Sequence, residues 1–166
     1  VSAALTSLTI AQNPIGERGA KILAESFASS SLQWITIGSE FTRIPVHNTE
    51  ITSLDVSDQK LGPSEAIIVG GAIQFSAALT SLTIAQNPIG APGATALVEA
   101  LKTASSIEII NIGQPLPLKS QYESDCLDLC DTRMDPGQAI ILAWWLTLPV
   151  SAALTKLNVS QNSIGD

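Results

Sequence analysis

The feature that most constrains this chain is a segment that occurs twice without a change. The fifteen residues SAALTSLTIAQNPIG occupy positions 2–16 and again positions 76–90. A close variant, SAALTKLNVSQNSIG, begins at Ser151. Repetition at a fixed spacing predicts a stack of similar structural units, each of which covers the apolar edge of its neighbour.

Two other patterns recur at nearly the same spacing. One begins at Leu32 and returns at Ile107 (107 − 32 = 75), and the other begins at Ile51 and returns at Ser124 (124 − 51 = 73). Regular, short and acidic units therefore alternate along the chain. Their lengths fall in or near the range of about 20 to 29 residues that is known for short strand-and-helix repeats.

Each regular unit has a strand, a turn and a helix in its letters. LTSLTI alternates as a short strand does, and NPIG supplies a turn whose Asn can bond loop backbone groups that have no ladder partner. ERGAKILAESFA and APGATALVEALKT then place apolar residues at helical spacing. These residues are Ala20, Leu23, Ala24 and Phe27 in the first helix, and Ala94, Leu97, Val98 and Leu101 in the second.

The pattern Leu-x-x-Leu-x-Ile-x-x-Asn-x-Ile, which starts at Leu5, resembles the leucine-rich-repeat family, and the helices resemble its ribonuclease-inhibitor-like subclass. The resemblance implies an α/β solenoid with parallel strands on a concave face, helices on a convex face, and a role in protein recognition. The short units carry GSEFTRIPVHNTE and GQPLPLKSQYESD where a helix would stand, so we predict extended convex segments there.

We expect residues 1–166 to form a single leucine-rich-repeat domain of about seven units. Neither end shows the polar capping unit that such stacks need, so the sequence predicts a slice of a longer array or a chain that is capped in an assembly.

The composition excludes several classes of function. The formal net charge is −7 and the pI is about 4.5, which disfavours nucleic acid and anionic membrane surfaces as partners. The longest apolar run, AIILAWWLTLPV, is too short to span a membrane. Two cysteines do not form a disulfide framework, and this favours an intracellular location, in the cytoplasm or an organelle, over secretion.

The candidate binding residues are the strand positions that alternate with the core leucines. We predict two rows of such side chains across the concave face. The first row is Ser7, Trp34, Ser53, Ser81, Ile109, Cys126 and Lys156, and the second is Thr9, Thr36, Asp55, Thr83, Asn111, Asp128 and Asn158. Trp34 and Ile109 are large apolar residues at matching positions, and exposed Trp is enriched at binding hot spots. Trp34 lying flat on its own neighbours is an equally good interpretation.

Asp55 and Asp128 raise the question of paired-carboxylate catalysis. They lie three predicted strands apart, about 14 Å, whereas glycosidase pairs need about 5 to 9.5 Å. We therefore interpret them as part of a solvated acidic stripe that a partner could contact. Cys126 and Cys130 are expected to be free thiols. No metal site, cofactor or catalytic triad is predicted, and His47 has no nucleophile in register.

Trp144 and Trp145 lie about 100° apart around a helix, so they cannot both face one core. Either they fill a gap beside the neighbouring short unit, or they contact a partner or a membrane edge. Both interpretations of the Trp pair stay open.

Two functions of the protein also stay open. The first function is a non-catalytic scaffold that binds a protein on its concave face. The second is a structural or linker subunit that docks into a larger assembly through its apolar convex helices and its ends.

Overall fold

The computed structural model describes residues 5–165, and within them the chain forms short strands and α-helices in alternation. In chain order these elements are β1 (Ser7–Thr9), α1 (Gly16–Ser26), β2 (Trp34–Ile37), β3 (Thr42–Pro45), β4 (Ser53–Asp55), α2 (Pro63–Ile73), β5 (Ser81–Thr83), α3 (Gly90–Thr103), β6 (Ile109–Asn111), β7 (Pro115–Pro117), β8 (Cys126–Asp128), α4 (Pro136–Trp145) and β9 (Lys156–Asn158).

The strands form three sheets, in the orders β1-β2-β3, β4-β5-β6-β7 and β8-β9. Within each sheet, the strands that belong to successive repeat units pair in parallel, as the repeat predicts. Ser7 lies opposite Trp34 in the first sheet, and Ser81 lies between Ser53 and Ile109 in the second. Within each sheet the two predicted rows of side chains are therefore confirmed, residue by residue.

The prediction for the short units needs a correction. Their helix-less segments do not lie on the helical side as extended convex stretches; they turn back as β3 and β7 and pair antiparallel with β2 and β6. The first turn contains Gly38 and the second Gly113, both at positive φ, a conformation that glycine adopts without strain. Each hairpin ends its run of parallel strands, so the predicted continuous sheet is interrupted at both places.

The core lies between the sheets and a row of helices that pack in chain order, α1 on α2, α2 on α3 and α3 on α4. Small residues allow the close approach. A Cβ added at Gly71 would lie 2.5 Å from the Cβ of Ala24, and one added at Gly93 would lie 2.7 Å from the Cβ of Ala66. All residues of α2 from Ala66 to Ile73 are buried, which explains why this helix has no polar stripe.

Gly71→Ala should therefore destabilise the fold by about 1 to 3 kcal/mol, because the new methyl group meets Ala24 in the α1–α2 contact. In an open helix the same exchange would stabilise by up to about 1 kcal/mol. The free energy of unfolding in urea measures the effect. Ala24→Gly removes the atom that the methyl group meets, so the double variant should recover part of the loss; a purely additive double variant would contradict this explanation.

The repeated Asn has the role that the turn sequence predicts. Asn87 is 2% exposed, and its Nδ2 donates to the carbonyl oxygen of Val56 at 2.7 Å, while its Oδ1 accepts from the backbone N–H groups of Gln59 and Leu61, each at 3.0 Å. All three of these partners belong to the preceding unit. The side chain therefore adds to the contacts that join the two units just beyond strands β4 and β5.

Candidate functional site

The outer sheet face, which is the face turned away from the helices, consists of the two predicted rows together with one side chain from β3. Most of its residues are small and polar. The exceptions that could anchor a partner are Trp34, Arg43 and Ile109, with Asp55 and Asp128 as carboxylates.

Asp55 and Asp128 both lie exposed at the carboxyl end of a strand, where each has a local structural role. The Oδ1 atom of Asp55 accepts a hydrogen bond of 2.9 Å from the backbone N–H of Ser57, and Asp128 accepts one of 2.9 Å from that of Cys130. Asn111 bonds the N–H of the second residue after it in the same way. These side chains form Asx turns, and the two carboxylates belong to different sheets.

Trp34 is half-buried, and the cover comes from Arg43. The guanidinium carbon of Arg43 lies 3.8 Å from the centroid of the Trp34 ring, which is cation–π stacking. Arg43 reaches this position because β3 pairs antiparallel with β2, with Arg43 opposite Thr36 and Pro45 opposite Trp34. Arg43 is not among the binding residues predicted from the sequence. The alternation of Thr42, Arg43 and Ile44 was the available signal, but the Gly and Pro residues around it favoured a loop.

A polar depression lies beside this stack, between β1, β2 and the chain that follows β3. Its walls include Ser7, Gln33, Asn48 and Glu50 as well as the Trp34–Arg43 pair. Asn48 is only 7% exposed, and its Oδ1 accepts hydrogen bonds of 2.9 Å from the backbone N–H groups of Glu50 and Ile51. These two bonds hold the turn from Asn48 to Ile51 along one side of the depression.

Ile109 is the counterpart of Trp34 in the second short unit and is 38% exposed. It lies opposite Pro117, as Trp34 lies opposite Pro45. The position that corresponds to Arg43 is Pro115, so the second hairpin has an apolar side chain on the outer sheet face but no cation beside it.

Trp145 is not available to a partner, which corrects its place among the candidate binding residues. Its side chain is fully buried, its Nε1 donates a hydrogen bond of 2.8 Å to the carbonyl oxygen of Pro117, and its ring meets the edge of Tyr122 at a centroid distance of 5.4 Å. Both contacts belong to the short unit that has no helix. Trp145 therefore fills the gap beside that unit.

Trp144 is half-buried against the core, and the exposed side of α4 beside it is apolar. Ile140 is 37% exposed, Leu146 is 40% exposed, and Ala143 between them is also exposed. The three corresponding residues of α2 are Ile67, Gly70 and Ile73, which are all buried. We call Ile140, Ala143 and Leu146 the α4 stripe.

One ion pair links the tip of the first hairpin to the acidic unit that follows it. The ammonium of Lys60 lies 2.6 Å from the carboxylate of Glu40, and this hydrogen bond lowers the pKa of Glu40 and raises that of Lys60. The lowered pKa of Glu40 favours the folded state above the carboxyl's unfolded pKa, and that contribution is lost as the pH falls through the folded pKa. Both groups are solvent-exposed, so screening keeps the contribution small.

Some other features bear on chemistry. Cys126 is an exposed free thiol, and Cys130 is a half-buried one that accepts a contact of 3.2 Å from the hydroxyl of Ser160. Between residues 5 and 165, no cluster of three or more His, Cys, Asp or Glu side chains is arranged to hold a metal ion. Within the same range, no helix has the length and apolar character that a membrane crossing requires.

Comparison with known proteins agrees with the repeat geometry. A family profile described as "Leucine Rich repeat" matches residues 76–98 and 151–166. Among curated proteins, the chain is similar to the ribonuclease inhibitor of Sus scrofa, with 24% identity over 190 residues and 98% of this chain covered. The chain spans 41% of that protein's length.

The structure adds parallel strands in register, helices stacked in chain order and the buried side chain of Asn87 to these matches. Together with the profile match, they support a leucine-rich-repeat family for this chain. The similarity to a ribonuclease inhibitor supports the ribonuclease-inhibitor-like kind of repeat.

Proposed function

We propose that this chain is a non-catalytic recognition module that binds a protein partner through the outer sheet face. The face would be the concave side of a single leucine-rich-repeat solenoid of about seven units. The observation that carries the proposal is the Trp34–Arg43 stack beside a shaped polar depression. Trp and Arg are the residue types most enriched among the few side chains that dominate binding energy.

The rest of the outer sheet face suits recognition better than chemistry. Asp55 and Asp128 accept backbone hydrogen bonds in turns at the ends of strands in separate sheets. Ile109, which is 38% exposed, offers a second, smaller apolar contact. A partner that covers Trp34 and Ile109 would cross the acidic strand end at Asp55, so its surface there should be neutral or basic.

A specific observation favours a second candidate function, that of a structural subunit in a larger assembly. The α4 stripe is apolar and exposed, whereas the corresponding residues of α2 are covered by the neighbouring helices. A helix packed on α4 as α3 packs on α2, from a further repeat or from another protein, would remove Ile140 and Leu146 from water. This candidate uses the helical side of the molecule and leaves Trp34 free.

The two candidates predict opposite results for two variants. A partner isolated with the tagged protein and then purified is titrated against Trp34→Ala and Leu146→Ala by isothermal calorimetry. Recognition through the outer sheet face predicts that Trp34→Ala weakens binding by about 2 kcal/mol or more, while Leu146→Ala, in the α4 stripe, changes it by well under about 1 kcal/mol. The reverse pattern would replace the first candidate with the second, and two neutral variants would contradict both.

A further inference from the structure

We infer that the depression beside Trp34 is a carboxylate-binding site, which takes a single Asp or Glu side chain of the partner. This inference rests on the proposed function, because it names the chemistry that the outer sheet face recognises. It starts from the charge of Arg43. Among residues 5–165 the ion pairs are those of Lys60, Lys102, Lys119 and Lys156, so the guanidinium of Arg43 has no carboxylate within salt-bridge distance.

The stack on Trp34 prepares this guanidinium for an anion. The guanidinium lies over the indole ring, which restricts its conformations, while Arg43 stays exposed and so can reach a ligand. A carboxylate can bind the N–H edge of this group through two parallel N–H···O bonds, the geometry for which arginine is best suited. Because the contact with Trp34 already restricts the side chain, less side-chain entropy is lost when the anion binds.

Asn48 supplies a second, independent observation. Its Oδ1 accepts hydrogen bonds from the backbone N–H groups of Glu50 and Ile51, and this identifies which end of the amide is the oxygen and which is Nδ2. No described residue accepts a hydrogen bond from its Nδ2, although the side chain is nine-tenths buried. Among the described residues, every fully buried polar side-chain atom has a hydrogen-bond partner. The Nδ2 of Asn48 has no such partner, so it must still be accessible to solvent, and the depression that Asn48 lines gives it that access.

The remaining residues that line the depression limit it to binding a single carboxylate of the partner. Ser7 and Gln33 offer uncharged donors, whereas Glu50 places a negative charge in the same depression, more than 4 Å from the nearest cation that could neutralise it. The net charge of the whole chain is −7. A segment with several carboxylates would be repelled, so the structure favours one acidic side chain among neutral or basic neighbours.

The test uses alanine pentapeptides that are blocked at both ends and have a central glutamate or a central glutamine, and an N-acetylated alanine pentapeptide whose only charged group is its terminal carboxylate. Each is titrated into ¹⁵N-labelled protein, and the indole N–H signal of Trp34, assigned with Trp34→Phe, reports binding. The glutamate peptide should shift the Trp34 signal saturably and the glutamine peptide should not. A response to the terminal carboxylate alone would overturn the assignment to a side chain.

Three variants separate the local charge from the net charge. Arg43→Gln should weaken binding of the glutamate peptide about tenfold or more, as expected for the loss of a charge-assisted hydrogen-bond pair. Glu50→Gln should tighten it several-fold. Arg18→Gln removes the same charge from exposed α1, far from the depression, and should leave the affinity unchanged; the unshifted indole signal of Trp145 confirms the fold in each variant.

Failure of this inference can be distinguished from failure of the proposed function. Equal binding by wild type and Arg43→Gln, equal effects of Arg43→Gln and Arg18→Gln, or no shift with any peptide would each overturn the carboxylate site. If the purified partner still loses affinity with Trp34→Ala in that case, the outer sheet face remains the binding surface and only its chemistry has been assigned wrongly.

Discussion

Trp145→Ala should lower the free energy of unfolding by about 3 to 5 kcal/mol. The indole is fully buried, and it is the largest buried side chain of the described residues. Its removal would leave a cavity between α4 and β7, and would leave the carbonyl oxygen of Pro117 without its donor. It would also remove the edge-on contact with Tyr122. Urea unfolding followed by far-UV circular dichroism measures the loss.

A matched substitution separates the volume of Trp145 from its hydrogen bond. Trp145→Phe keeps an aromatic ring in the gap but leaves the Pro117 carbonyl unsatisfied, so it should cost about 1 to 3 kcal/mol. Trp144→Ala, next to it in the same helix but only half-buried, should cost less than Trp145→Ala. A loss below about 1 kcal/mol for Trp145→Ala would mean that the gap beside β7 closes without the indole.

The first copy of the unit satisfies the equivalent hairpin carbonyl in a different way. There the residue at the position of Trp145 is Ala72, which is also fully buried. The carbonyl oxygen of Pro45, equivalent to that of Pro117, accepts its hydrogen bond from the hydroxyl of Ser76 at 3.0 Å. The carbonyl of Pro117 thus accepts its hydrogen bond from a large indole, and that of Pro45 from a small hydroxyl. The corresponding helix position holds Trp145 in one copy and Ala72 in the other.

Much of the fold follows from the letters of the repeat. Subtraction of equivalent positions predicts the parallel register, because each unit presents the same alternation of buried and outward side chains to its neighbour. The stripe of α3 from Ala94 to Leu101 is predicted by its helical spacing and is buried as expected. Periodicity carries this information locally, within one unit.

The hairpins could not be predicted in the same way, and with them Arg43 was missed. A segment such as Thr42–Pro45 has an extended pattern, but the pattern does not say which strand it pairs with or in which direction. The choice depends on the turn at Gly38 and on the absence of a helix to carry the chain across. The Trp34–Arg43 stack arises from this non-local pairing.

The duplicated segment shows the limit most directly, because identical letters acquire different environments. Leu82 is fully buried, whereas Leu8, at the same place in the first copy, is only half-buried. Asn87 is buried and Asn13 is exposed. Identical letters therefore do not determine how far a side chain is buried or which other units it contacts.

Asn87→Ala should therefore lower the free energy of unfolding by about 3 kcal/mol or more. The change leaves the buried N–H of Leu61 and the N–H of Gln59 without their acceptor, and the carbonyl of Val56 without its donor. An unsatisfied buried group costs about 1 to 3 kcal/mol, and three are created here, although water can reach the half-buried Gln59. Thermal and urea unfolding measure the loss.

The chain provides a control with the same local sequence. Asn13 stands in an identical fifteen-residue segment, but among residues 5–165 its Nδ2 donates only to the carbonyl oxygens of Ile10 and Ala11, within its own turn. Asn13→Ala removes the same side chain and the same local turn bonds, so it should cost less than about 1 kcal/mol. The difference between the two variants is then the free energy with which the Asn87 side chain joins its unit to the preceding one. Equal losses would show that the stabilisation lies within the turn, and that Asn87 does not join the units.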